Sequence, residues 1–117
     1  MLPAQNRMTR STHFDATIAH GARVAQPDLV VYLRRGELAL APKVGLIVAK
    51  SVGGAVRRHR VARRLRHVAR GLLAELQPAD QVVIRALPDS YAATSVQLEE
   101  QLRAGLQRIR RSPGRAR

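Results

Sequence analysis

The hydrophobic residues of this chain change their period several times along its length, and each change marks an element. Phe14 and Ile18, four apart, share one face of a short helix. Thr12 and Asp15 have the capping-box spacing, which starts that helix at Thr12, and Gly21 stops it. Leu29 to Arg34 reads as a strand that contains Tyr32, with Pro27-Asp28 as a turn or bulge before it. Gly36 to Pro42 reads as a hairpin connection. Lys43 to Lys50 is almost continuously apolar, which predicts a central strand buried on both faces. From Ala55 to Gln77 the period becomes helical: at 100° steps Val61, Leu65, Val68, Ala69, Leu72 and Leu76 gather on one side, and Pro78 ends the run. Gln81 to Leu87 is a second buried strand, so the middle of the chain predicts a parallel strand pair with a helical crossover. Thr94 and Gln97 form another capping box ahead of Val96, Leu98, Leu102, Leu106 and Ile109, an amphipathic helix. The expected unit is one α+β domain spanning residues 1–117, with residues 1–10 and 110–117 as flexible basic tails.

Charge changes this picture most at the long helix. The chain carries 21 Lys plus Arg against 8 Asp plus Glu, a formal net charge of +13, which points to a nucleic-acid partner. Between Lys50 and Arg70 there are eight Lys or Arg residues, and no acid occurs between Glu37 and Glu75. The side of the helix opposite its apolar stripe holds Arg60, Arg63, Arg64, His67 and Arg70, guanidinium groups at a spacing suited to a row of phosphates. A solvated helix face normally mixes signs, because like charges four residues apart repel. This face is unmixed, so its counter-charge comes from a partner. The excess of Arg over Lys, nineteen to two, suits forked phosphate contacts, and a GC-rich genome would produce the same bias.

The chemistry for catalysis is missing. The carboxylates are scattered, Ser51 has no acidic group to orient His59 or His67 beside it, and the GxxxxGK[ST] spacing is absent around Gly53-Gly54. No catalytic residue and no metal site is assigned: there is no Cys, and the four His residues have no ligand spacing. Three aromatic residues, Phe14, Tyr32 and Tyr91, are too few for a large base-stacking platform. Pattern alone favours Phe14 and Ile18 as core, while a small apolar wall of Phe14, Ile18 and Tyr32 for an unpaired strand stays open beside it. With no apolar signal region and no stretch of membrane-spanning length, the expected location is the cytoplasm.

The run Lys50-Ser-Val-Gly-Gly-Ala-Val-Arg-Arg58-His59-Arg60, followed by Arg63-Arg64, resembles the signature of the bacterial ribonuclease P protein subunit. In that family a lysine and a glycine turn lead into an Arg-Asn-Arg triplet opening a basic helix. Asn6-Arg7-Met8, His13-Phe14, His20-Gly21, Tyr32 and Val44-Gly45-Leu46 are similar to the family at matching places, so the resemblance covers most of the chain.

The resemblance implies an α-β-β-β-α-β-α sandwich with a left-handed β-α-β crossover, against the general right-handed rule. It implies a partner of the catalytic RNA that removes the 5′ leader of precursor tRNA, with hydrolysis performed by the RNA and magnesium held mainly by that RNA, and one protein per RNA. By position, Arg57, Arg58, His59, Arg60, Arg63, Arg64, Arg66, His67 and Arg70 would face the catalytic RNA. Phe14, Ile18 and Tyr32 would line the cleft for the leader, with Lys50 near its edge, which moves the first three from core to ligand contacts. The sequence departs from the family at His59, where the triplet has Asn, at Ala62, where a basic residue is common, and at Ile18, where a second aromatic stands; Arg57 and Arg64 supply charge nearby. The competing reading is a small basic ribosomal or other nucleic-acid-binding protein with no processing role.

Overall fold

The computed structural model describes residues 2–36 and 41–111. Its elements are helix α1 (Ser11–His20), strands β1 (Ala22–Ala25), β2 (Leu29–Arg35) and β3 (Lys43–Ile47), helix α2 (Ala55–Leu72), strand β4 (Asp80–Ala86) and helix α3 (Ser95–Arg110). The order is the α-β-β-β-α-β-α sequence that the family resemblance implies. Short 3₁₀ turns join them, at Ala4–Asn6, Lys50–Val52, Leu73–Glu75 and Pro88–Ala92.

The four strands form one mixed sheet in the order β1-β2-β4-β3. β2 runs antiparallel to both β1 and β4, and β3 runs parallel to β4, so α2 lies within a parallel crossover as its flanking apolar runs predicted. Three expectations change here. The segment from Gly36 to Pro42 does not close a hairpin, because β4 inserts between β2 and β3; Glu37 to Leu40 lie outside the described residues. The central strand is β4, which forms ladders along both its edges and buries six of its seven residues, while β3 stands at the rim of the sheet. The apolar run of β3 is explained by a different cover: the N-terminal segment lies along it, with an Arg7–Val44 bridge and a Met8 N–H donating to the Val44 carbonyl at 3.0 Å. Where the sequence predicts a loose arm over residues 1–10, Leu2, Asn6 and Met8 are buried, and Asn6 donates to the Pro42 carbonyl at 2.8 Å.

The two faces of the sheet are covered unequally. Alternation sends Leu29, Val31, Val82 and Ile84 to one face, where Val61, Leu65, Val68 and Leu72 of α2 and Leu98, Leu102, Leu106 and Ile109 of α3 close the main core. Val30, Tyr32 and Val83 point to the other face, where Met8, Phe14 and Ile18 pack on them. α1 alone among the helices belongs to that second layer.

Helix ends follow local chemistry to differing degrees. Thr94 caps α3 as its sequence predicts, its hydroxyl accepting from the Gln97 N–H and the Gln97 side chain accepting from the Thr94 N–H. α1 starts one residue earlier than expected, after Arg10, and no side chain caps it. α2 ends at Leu72 and tightens into the Leu73–Glu75 turn before Pro78 is reached. Strand β1, implied by the resemblance, has no counterpart in the hydrophobic pattern, and β3 ends at Ile47, which leaves Lys50 in the following turn. Of the predicted tail, residues 110–117, Arg110 instead closes α3 and pairs with Asp80, Arg111 follows it as a turn, and residues 112–117 fall outside the described part.

Candidate nucleic-acid interface

The polar side of α2 faces away from the sheet. Arg57, His59, Arg60, Arg63, His67 and Arg70 are exposed along it, while Arg58, Arg64 and Arg66 are half-buried at its flanks. Helical geometry separates these roles: His59, Arg60, Arg63, His67 and Arg70 lie opposite Val61, Leu65 and Leu72, Arg57 is exposed in the first turn of the helix on the same flank as Arg64, and Arg58 and Arg64 lie beside the buried stripe on either side. The Arg58 Nε–H is buried without a partner. Among the described residues the ion pairs join Arg103 to Glu75 and Glu99, and Arg110 to Asp80; none is made from α2. The hydrogen bond from Arg103 holds the Glu75 carboxyl below its ordinary value and raises the guanidinium in turn, so these acids serve α3 and leave the α2 charge uncompensated.

Three α2 arginines converge on Tyr91, in the Pro88–Ala92 turn. The Arg57 guanidinium sits 4.5 Å from the ring centroid and that of Arg64 at 5.8 Å. Arg64 also donates to the carbonyls of Tyr91 at 2.9 Å and Ala93 at 3.3 Å, and Arg60 approaches the phenol oxygen at 3.5 Å. Beside this cluster Arg60, Arg63, Arg64 and His67, with Ser95 opposite, line an open groove of about 390 Å³. Its chemistry suits an anion such as a backbone phosphate.

The second candidate surface lies on the α1 side of the sheet. Phe14, Ile18 and Tyr32 come together there as expected, with Met8, Val30 and Val83. Tyr32 is only 4% exposed, so it offers a bound strand little more than an edge, while Phe14 and Ile18 are half-buried above it. Lys50 is not part of the cluster; it is exposed in the turn after β3.

Strand register adds residues that the sequence reading missed. Tyr32 pairs across to Arg23 on β1 and Val83 on β4, Val30 pairs to Arg85, and Arg34 pairs to Gln81 and through it to Lys43. Paired residues share a face, so Arg23, Arg34, Lys43 and Arg85 rim the apolar cluster. Arg23 and Arg85 are exposed. Arg34 Nε and Gln81 Oε1 are buried without partners, and Lys43 donates to the Gln5 carbonyl at 3.0 Å. The signal that could have found them was present: an Arg two residues from an inward apolar residue, in Tyr32-Leu33-Arg34 and in Val83-Ile84-Arg85, points to the same face.

A family model described as Ribonuclease P matches residues 2–110. The chain belongs to the ribonuclease P protein family. The ribonuclease P protein component of Mycolicibacterium paratuberculosis is 60% identical over 119 residues, covering 98% of this chain and all of that one. That of Mycobacterium tuberculosis is 59% identical over 108 residues, with 92% of each chain covered. The fold is shared with a ribonuclease P protein structure from Staphylococcus aureus, at TM-score 0.80 and 22% identity over 90% of this chain and 88% of that one. It is shared also with the Thermotoga maritima protein, at TM-score 0.73 and 18% identity over 90% and 96%. The chain is thus a protein subunit of a tRNA-processing endoribonuclease and a partner of ribonuclease P RNA. No comparison supports an unrelated basic nucleic-acid-binding protein. None of the described helices is long and apolar enough to cross a membrane.

Proposed function

We propose that this subunit binds the catalytic RNA through α2 and holds the 5′ leader of precursor tRNA against the α1 side of the sheet, while the RNA hydrolyses the phosphodiester. The observation that carries this reading is the sign segregation on α2: nine basic side chains, Arg57 to Arg70, lie on one helix that holds no acid. Such a surface is stable as a helix face when phosphates supply the counter-charge. The α1 side suits a different ligand, because an apolar floor with a cationic rim matches unstacked bases with a flanking backbone. Phe14, Ile18 and Tyr32 form the floor, Lys50 stands three residues past the end of β3, and Arg23 and Arg85 extend the rim.

Among the described residues no group of three or more His, Asp or Glu is placed to hold a metal ion. Magnesium in this reading is held by the RNA, and the protein's part is electrostatic and positional. One protein per RNA, working in the cytoplasm, completes the reading.

The test is cleavage of a leader-bearing precursor tRNA at low magnesium by protein alone, ribonuclease P RNA alone, and both. Efficient cleavage by the combination alone, lost with Arg58→Ala/Arg60→Ala, is the expected result. Cleavage by the protein without RNA overturns the division of labour, and binding without any gain in cleavage overturns the subunit role.

A further inference from the structure

We propose that Tyr91 is a positioning residue for the RNA-binding face of α2, fixing Arg57, Arg60 and Arg64 in one array without neutralising them. The inference rests on the reading of α2 as the RNA-facing helix.

Arg57 and Arg64 are seven residues apart, two helical turns or roughly 10 Å along the axis. Left to themselves, two long side chains at that distance sample many rotamers. Here both guanidinium groups lie over one ring, and Arg60, between them in sequence, reaches its hydroxyl. The Arg57 stem is guided from its other side as well. Gly53 has φ +144°, and a Cβ there would lie 2.7 Å from Arg57 Cδ, so only glycine lets that arm pass toward the ring.

The kind of holding group matters. A carboxylate would order a guanidinium equally well and cancel its charge. The face of a phenol ring and two backbone carbonyls order it through a quadrupole and dipoles, so the full positive charge stays available to a phosphate. Pre-ordering also removes part of the conformational entropy that a flexible Arg loses when RNA fixes it. Arg64, held by the ring and by the carbonyls of Tyr91 and Ala93, is at once a member of the clasp and a wall of the groove shared with Arg60, Arg63 and His67. The clasp therefore sets one side of the anion groove.

The position of the ring is itself fixed by the fold. Tyr91 belongs to the turn Pro88–Ala92, whose Pro88 opens it and whose Ser90 is fully buried. That turn joins the central strand β4 to α3, which ties the α2 arginines to the core rather than to solvent-exposed chain.

The experiment measures affinity for a bacterial ribonuclease P RNA with Tyr91→Phe, Tyr91→Leu, Arg57→Ala/Arg64→Ala, and the triple variant. Tyr91→Phe keeps the stacked face and is expected within about twofold of the unaltered chain. Tyr91→Leu is expected to lose about fivefold to tenfold. In the Arg57→Ala/Arg64→Ala background the same change to Leu is expected to lose no more than about twofold, because its effect runs through those arginines. An equal loss with and without the arginines assigns Tyr91 a merely structural role and overturns the proposal, as does full affinity of Tyr91→Leu. Should Tyr91→Leu fail to fold, the Nε–H resonances of Arg57 and Arg64 in the unaltered chain decide: ring-current-shifted signals that move in Tyr91→Phe little or not at all support the clasp, and random-coil positions overturn it. Arg63→Ala and His67→Ala, which do not touch the ring, distinguish the two levels. If they weaken RNA binding and Tyr91→Leu does not, only the positioning role falls; if neither does, the α2 reading falls and the proposal with it.

Discussion

Phe14 lies directly over Gly45: a Cβ built on that glycine would stand 2.5 Å from two carbons of the Phe14 ring and 3.1 Å from Met8 Cβ. The missing side chain on the rim strand is what lets α1 settle onto the sheet. Gly45→Ala is expected to push the ring away and destabilise the fold by about 1–3 kcal/mol in urea unfolding. Adding Phe14→Leu should recover part of that loss, and a fully additive double variant would mean that the ring is not the obstacle.

The α1 side and the α2 side are predicted to have separable functions. Arg85→Ala, on the rim of the apolar cluster, should weaken holoenzyme binding of leader-bearing precursor tRNA several-fold while leaving mature tRNA and the catalytic RNA bound as before. Each lost phosphate contact is worth about one unit in the salt slope. Equal weakening for substrates with and without a leader would remove Arg85 from this surface.

On α2 the expected signature is electrostatic. Arg63→Ala should lower affinity for the catalytic RNA at every salt concentration and reduce the slope of log K against log salt by about 1. Arg103→Ala, whose charge is already paired with Glu75 and Glu99, should leave that slope unchanged. An equal change from both variants would show that net charge alone is being read.

Thr94→Ala removes the hydroxyl that accepts from the Gln97 N–H at 3.1 Å and is expected to destabilise the protein by about 1 kcal/mol. Thermal unfolding checks it, and because Ser95 of the same first turn faces the anion groove, RNA affinity is measured alongside.

Acid should act on the α3 ion pairs in a defined direction. Arg103 depresses the Glu75 pKa, so the stabilisation from that pair is complete above the ordinary value of 4.5 and fades as pH falls through the depressed one. Arg103→Ala should therefore flatten the acid limb of the stability profile. Because both partners are exposed at the surface, the change is expected to be small.

What the sequence determined by itself was local and periodic. The 3.6-residue spacing of Val61, Leu65, Val68 and Leu72 defined the buried side of α2, and with it the opposite, RNA-facing side, because a helix has only these two sides to offer. The Thr94–Gln97 box is likewise a contact within four residues, so its spacing sufficed. The strand–helix–strand run with buried strands gave the parallel pair. Tertiary structure decided whatever depends on which distant segments meet. β4 became central, in place of the expected β3, because it accepts β2 on one edge and β3 on the other, a choice that apolar runs of similar character in β3 and β4 cannot make. The N-terminal residues became ordered because β3 offered them a free edge, and a four-residue strand such as β1 carries too little pattern to announce itself without its partner. Tyr91 read as one of three scattered aromatics, and only the packing of the Pro88–Ala92 turn beside α2 brought its ring between arginines more than two dozen residues away in the chain.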